Sequence, residues 1–178
     1  FSSCNCFSQV TVINKGVTIT NLSQSIYLKG SVVNQTNGFI RNTGNIYVSD
    51  SISNNSNTFF SDSSGGNFYL NGTNQLISGT HSLNFHRLIL NTVDTLQLHQ
   101  SIKVTDSLHF TKGYINLNGN SIDLDSTGRL INERHGSHIY GSSGKVMAHS
   151  YVSNPSLTDD MGGLGLKIVS NNNHGSVC

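Results

Sequence analysis

Residues 88–124 read LILNTVDTLQLHQSIKVTDSLHFTKGYINLNGNSIDL, a run of apolar pairs with no helical interval among them. Leu88/Leu90, Leu96/Leu98, Ile102/Val104, Leu108/Phe110, Ile115/Leu117 and Ile122/Leu124 each sit two apart. A spacing of two puts both side chains on one face of an extended strand, and the Ser, Asn, Gly, Asp and Thr between pairs are turn formers. The stretch therefore predicts six very short strands joined by tight corners. None is long enough to make a sheet alone, so each must take its partners from equivalent strands in neighbouring repeats. The expectation is an all-β chain coiled into a parallel β-solenoid (β-helix) of short coils.

A phrase recurs across the chain: Ile26-Tyr27-Leu28-Lys29-Gly30, Ile46-Tyr47-Val48-Ser49-Asp50, Phe68-Tyr69-Leu70-Asn71-Gly72, Leu88-Ile89-Leu90-Asn91-Thr92 and Ile115-Asn116-Leu117-Asn118-Gly119. The starts differ by 20, 22, 20 and 27 residues, one solenoid turn of two or three strands each, with the longest interval predicting an insertion near residues 94–100. The first and third residues of each phrase point inward and the second outward. Outward Tyr27, Tyr47 and Tyr69 then form a vertical row, about 4.8 Å from coil to coil. Such a row reads either as a ladder that stabilises the stack or as a flat aromatic surface for glycan or protein contact.

The repeat pattern spans 16–144 as five or six coils. Residues 1–15, with Val10/Val12, read as an N-terminal cap, since an open solenoid edge recruits other strands. Residues 145–178 break the repeat and read as a β-rich cap or the beginning of a further domain. Strands are expected there at Lys145-Val146-Met147, Tyr151-Val152 and Gly165-Leu166-Lys167-Ile168-Val169, with a turn at Asn154-Pro155. The sequence ends inside a Gly/Asn turn, so the polypeptide is expected to continue.

Composition supports the coil reading. Only 11% of the 178 residues are charged, against about 25% in an ordinary globular domain. Ser, Asn and Gly (27, 23 and 18) supply 68 positions, which is turn chemistry, while the regularly spaced apolar residues argue against disorder. A net charge of +1 without a basic cluster argues against nucleic acid as a partner, because that binding needs concentrated Lys and Arg to displace counterions. No apolar run approaches the roughly 20 residues that span a bilayer, and no charged-then-apolar leader opens the chain. A secreted form would already have lost its signal.

Candidate chemistry is thin. Cys4 and Cys6 are too close in sequence for an easy mutual bridge, and Cys178 is the third cysteine; a disulfide from Cys4 or Cys6 to another cysteine fits an extracellular protein better than metal binding does. Sugar-cleaving solenoids need paired ionisable groups, and the nearest candidates, Asp123 with Asp125 and Asp159 with Asp160, are pairs that nine acidic residues supply without function. Glu133, His135, His138 and His149 are the best metal group, yet surface histidines are the simpler reading. Thr18-Ile19-Thr20 is not repeated, so ice binding is discarded. No nucleophile elbow, phosphate loop or Cys-x-x-Cys occurs. No catalytic residue, metal ligand or cofactor is assigned.

Residues 68–79, FYLNGTNQLISG, followed by LNFHRLILN and IKVTDSLHFTKGYINLNGNSIDL, resemble a repeat common in large secreted proteins of Bacteroidetes. There a phrase like NG-x-x-Q-x-ISG leads to F-x-x-L-x-L/I-N and then to L-T-x-G-x-I-x-x-x-x-N-x-L-x-L. The tail GKVMAHSYVSNPSLTDDMGGLGLKIVS also looks like the segment that follows those repeats. The resemblance covers roughly residues 26–170 and is structural, with no catalytic residue in it. It implies a non-enzymatic, extracellular, cell-surface protein, exported by the type IX secretion system and associated with gliding motility or adhesion. The partners it implies are outer-membrane secretion or motility proteins, or surface glycans. It further implies O-glycosylation at Asp-Ser/Thr motifs, which makes Ser51, Thr95, Ser107 and Ser126 candidates; the same Asp and Ser residues also suit turn hydrogen bonds at coil corners. The competing class is a carbohydrate-binding or polysaccharide-degrading β-solenoid.

Overall fold

The structure, a computed structural model, describes residues 10–58, 65–152, 160–165 and 175–177. It is all-β and built of parallel strands stacked as a β-solenoid of about seven turns. The first turn is β1 (Val10–Lys15), β2 (Thr18–Asn21) and β3 (Ser25–Leu28), and the second β4 (Gly30–Gln35), β5 (Phe39–Asn42) and β6 (Asn45–Val48). Next come β7 (Ile52–Asn54), β8 (Asn67–Leu70), β9 (Gln75–Gly79), β10 (Leu83–Leu98), β11 (Ile102–Asn116), β12 (Ser121–Asp123), β13 (Arg129–Ile131), β14 (Ile139–Tyr140) and β15 (Lys145–Met147).

The described strands fall on three faces. On the first face the register runs Val12, Val32, Ile52, Ile77, Leu98, and the ends of β10 and β11 carry it on to β14. The second pairs β2 with β5, and further along aligns Leu83, Ile102, Ile122 and Val146. The third runs Ile26, Ile46, Phe68, Leu88, Leu108, Leu130. Alternation turns these columns inward, where they meet as one apolar core. All twelve paired residues singled out between 88 and 124 are buried in it.

The corners differ from the sequence expectation. Six short strands were expected over residues 88–124, but β10 and β11 run unbroken for 16 and 15 residues around the turns. Their pairing shifts register between Phe85 and Arg87, between Leu90 and Asn91 and between Asn91 and Thr95, so bulges bend the strand where breaks were expected. The phrase at Ile115 belongs to the first face, opposite Leu96, and the third-face successor of Leu88 is Leu108. The 27-residue interval therefore spans different faces, so its length does not come from an insertion; the extra residues β10 does carry there are the bulge between Asn91 and Thr95.

The ladder is also wider than the 16–144 expected, with β1 in register on β4 at one end and β15 on β12 at the other. After Met147 the parallel order stops: β16 (Ser150–Val152) pairs antiparallel with β17 (Gly175–Val177). A single 3-10 turn, Met161–Gly163, buries Met161 and sets Gly162 against Ala148 and Leu124. Cys4, Cys6 and Cys178, the turn expected at Asn154-Pro155 and residues 166–169 of the last expected strand lie outside the described residues. Among the described residues no helix is long and apolar enough to cross a membrane.

Candidate functional site: the outer surface of the third face

On the outside of the third face the middle position of each strand forms a column: Tyr27, Tyr47, Tyr69, Ile89, His109, Ile131. In-register parallel pairing stacks the three tyrosines, with ring centroids 4.4 and 4.3 Å apart and planes 7° and 13° from parallel. Tyr47 is thus covered on both faces, and the stack turns its edges and hydroxyls outward. Tyr27, at the end of the stack, is 66% exposed. Burial between two rings, reinforced by the neighbouring phenols, pushes the Tyr47 hydroxyl above its ordinary range.

Beyond Tyr69 the surface deepens into an open groove of about 470 Å³. Its origin is a size pattern in the adjacent column, where Asn67, Arg87, Ser107 and Arg129 align rung on rung. Ser107, small and buried, leaves a notch between two long arginines. Ile89 and Ile131 line the floor on either side of His109, Thr127 lies on the rim, and Tyr69 closes one end. Asn67 gives its amide N–H to Asn45, while its buried Oδ1 has no hydrogen-bond partner among the described residues.

The charges in the groove are unequal in their engagement. Arg87 Nε donates to Asp106 Oδ2, which also accepts from the Ser107 hydroxyl at 3.1 Å. The Arg87 guanidinium accordingly holds the Asp106 carboxyl below the usual carboxylate range. His109 shares a 2.7 Å hydrogen bond with Asn132. Arg129 is exposed and makes no ion pair among the described residues.

The other candidates fall elsewhere. Asp123 and Asp125 do not form a carboxylate pair: Asp125 turns away at a positive φ of 54° and pairs with Lys103 at 2.9 Å, while Asp123 faces His149 at 3.4 Å. Lys103 holds the Asp125 carboxyl low. Asp160 accepts from the Gly165 amide, and Asp159 is outside the described residues. The four residues weighed for a metal are dispersed: Glu133 accepts from the Ile139 amide, His138 packs edge-on against Tyr114, His149 sits by Asp123 and His135 is exposed. Among the described residues no His, Cys, Asp and Glu group could hold a metal ion.

Of the hydroxyls expected to carry glycans, Thr95 and Ser107 are 8% exposed and bonded to the preceding Asp94 and Asp106. Ser51 is half-buried and donates to Asp50, and Ser126 is exposed on a turn. Sequence reasoning missed the groove residues Arg87, Asp106, His109 and Arg129. The available signal was the separation of the arginines, 42 residues or two turns, with the small Ser107 one turn from each, 20 residues after Arg87 and 22 before Arg129. No protein-family model, curated protein or solved structure matches this chain.

Proposed function

We propose that the chain is a non-enzymatic cell-surface module, a rigid solenoid that carries an adhesive contact on its third face. In this reading it is a secreted protein of the type IX export route, displayed at the outer membrane beside the secretion or gliding-motility apparatus. The observation that carries the reading is the engagement of the charges on the contact face. The groove's carboxylate among the described lining residues is Asp106, and its pairing with Arg87 keeps it ionised. Glycoside hydrolysis needs a second carboxyl group, one of the two retaining a proton near neutral pH. The surroundings of Asp106 favour holding a ligand over cleaving it. The resemblance of residues 68–79 and 83–91 to secreted repeats supports the export reading, and these residues lie on the core ladder.

A second reading, a carbohydrate-binding solenoid, is favoured by the groove itself: a concave strip with isoleucine at its floor, a tyrosine at its end and guanidinium groups at its side. The two readings are compatible, since an adhesin contacts something. The deciding experiment is intact mass and affinity capture from the native cell envelope, followed by incubation of the purified protein with polysaccharides. Added glycan mass, co-purifying outer-membrane proteins and undegraded polymers are the expected result. A cytoplasmic protein, or release of oligosaccharides, overturns the proposal.

A further inference from the structure

We propose that the groove beyond Tyr69 binds an anionic linear glycan lying along the solenoid axis, with Arg129 as its charge contact. This inference rests on the carbohydrate-binding reading and names the class of glycan. The shape of the site argues for a linear chain. The apolar column through Ile89 and Ile131 and the guanidinium column through Arg87 and Arg129 both run along the axis, because parallel in-register pairing repeats every position from rung to rung. A ligand that satisfies both must present a lengthwise apolar edge and a lengthwise polar edge. An extended sugar chain does so, with C–H faces on one side and ring substituents on the other. The arginines are two rungs apart, about 9–10 Å at the strand spacing, which suits alternate sugars of such a chain.

The charge of the site argues for an anion. Arg87 is already matched by Asp106, but Arg129 has no carboxylate partner among the described residues, and Asp160, which lines a neighbouring pocket with it, is engaged with the Gly165 amide. A guanidinium offers a planar fork of donors that fits a carboxylate or sulfate with two parallel hydrogen bonds. Ser107 leaves the space beside that fork open, and the His109 imidazole lies within the same groove for a sugar hydroxyl. Nucleic acid fits poorly, since one unmatched arginine in a chain of net charge +1 cannot replace the counterions of a phosphate backbone.

The test is calorimetric binding of the whole chain to three linear polymers: a neutral β-glucan, a polyuronate and a sulfated galactan. Each is measured at low and high salt, with the variants Arg129→Gln, Arg129→Lys and Arg41→Gln. Arg41 is exposed on the second face, away from the groove, and controls for loss of one charge. The proposal expects one or both charged polymers to bind, Arg129→Gln to lose about tenfold in affinity, Arg129→Lys to lose less, and Arg41→Gln to change nothing. Whether the polyuronate or the sulfated polymer binds identifies the anion. Equal binding of the neutral polymer by the native chain and Arg129→Gln overturns the anionic assignment and leaves the glycan reading standing. Binding of none of the three overturns both.

Discussion

An asparagine side chain carries donors and an acceptor in one planar amide, so a column of them can hand a hydrogen bond from coil to coil. Inside the first face Asn14 donates to Asn34 at 2.9 Å and Asn34 donates to Asn54 at 3.3 Å, and the three side chains are almost wholly buried. The ladder also ties the corner, because Asn34 donates to the Gly38 carbonyl and Asn54 to those of His81 and Ser82. Leucine at position 34 matches the size but removes the three bonds in which Asn34 takes part, those with Asn14, Asn54 and the Gly38 carbonyl. Asn34→Leu is therefore expected to lower stability by about 1–3 kcal/mol, read as a lower urea midpoint at unchanged m-value. Outward Ser53→Ala should stay within about 0.5 kcal/mol of the parent. Tyr47 offers a second check. Its folded pKa lies above the unfolded value near 10, so the neutral stack stabilises the fold below that pH and loses its contribution as pH rises through the raised value. Tyrosinate absorbance should show a late-ionising phenol that disappears in Tyr47→Phe; its persistence there would assign the shift to another ring.

At the scale of the strand, stability comes from the column above and below. β12, β13 and β15 are three residues each and have no means of forming alone. Leu117, at the inner side of the turn after β11, packs against Gly141 and Gly144, whose lack of side chains lets the next corner close over it. Leu117→Asp places a charge among groups that cannot pair with it, and an ionised carboxylate so placed is severely destabilising. The neighbouring turns should lose their cooperative thermal transition, and an unchanged transition would remove Leu117 from the core. What the sequence made legible follows the same physics. The apolar pairs from Leu88 to Leu124 were readable because burial on a strand demands the i, i+2 pattern. The phase of Ile115 was not, because a pair looks the same on every face and only counting rungs separates Leu108 from Ile115. The groove shows in the sequence only as the spacing of Arg87, Ser107 and Arg129, which gains meaning once the rungs are counted and the three meet across two turns.

The molecule as a whole is a one-dimensional stack, and its stability should vary along the axis. Each turn touches only its neighbours, so opening can begin at an end and need not involve the centre. The two ends are built differently. The first turn leaves Val10, Ile13, Val17, Leu22 and Tyr27 largely exposed, and the Oδ1 of Asn14, buried in that turn, has no partner among the described residues. The central turns pair β10 and β11 along most of their lengths and bury Phe85, Leu90, Leu96, Leu108 and Phe110 completely or nearly so. At the other end Met161–Gly163 folds over Leu124, Leu130 and Ala148. Native-state hydrogen exchange should therefore be slowest at the amides of β10 and β11, intermediate near β12, and fastest in β1 to β3. Mild denaturant should release the first turn before the centre, giving separate exchange steps instead of one. Uniform protection from β1 to β15 would mean that the stack opens as a single unit, and that the first turn draws its stability from contacts beyond those of β1, β2 and β3 with the turn above them.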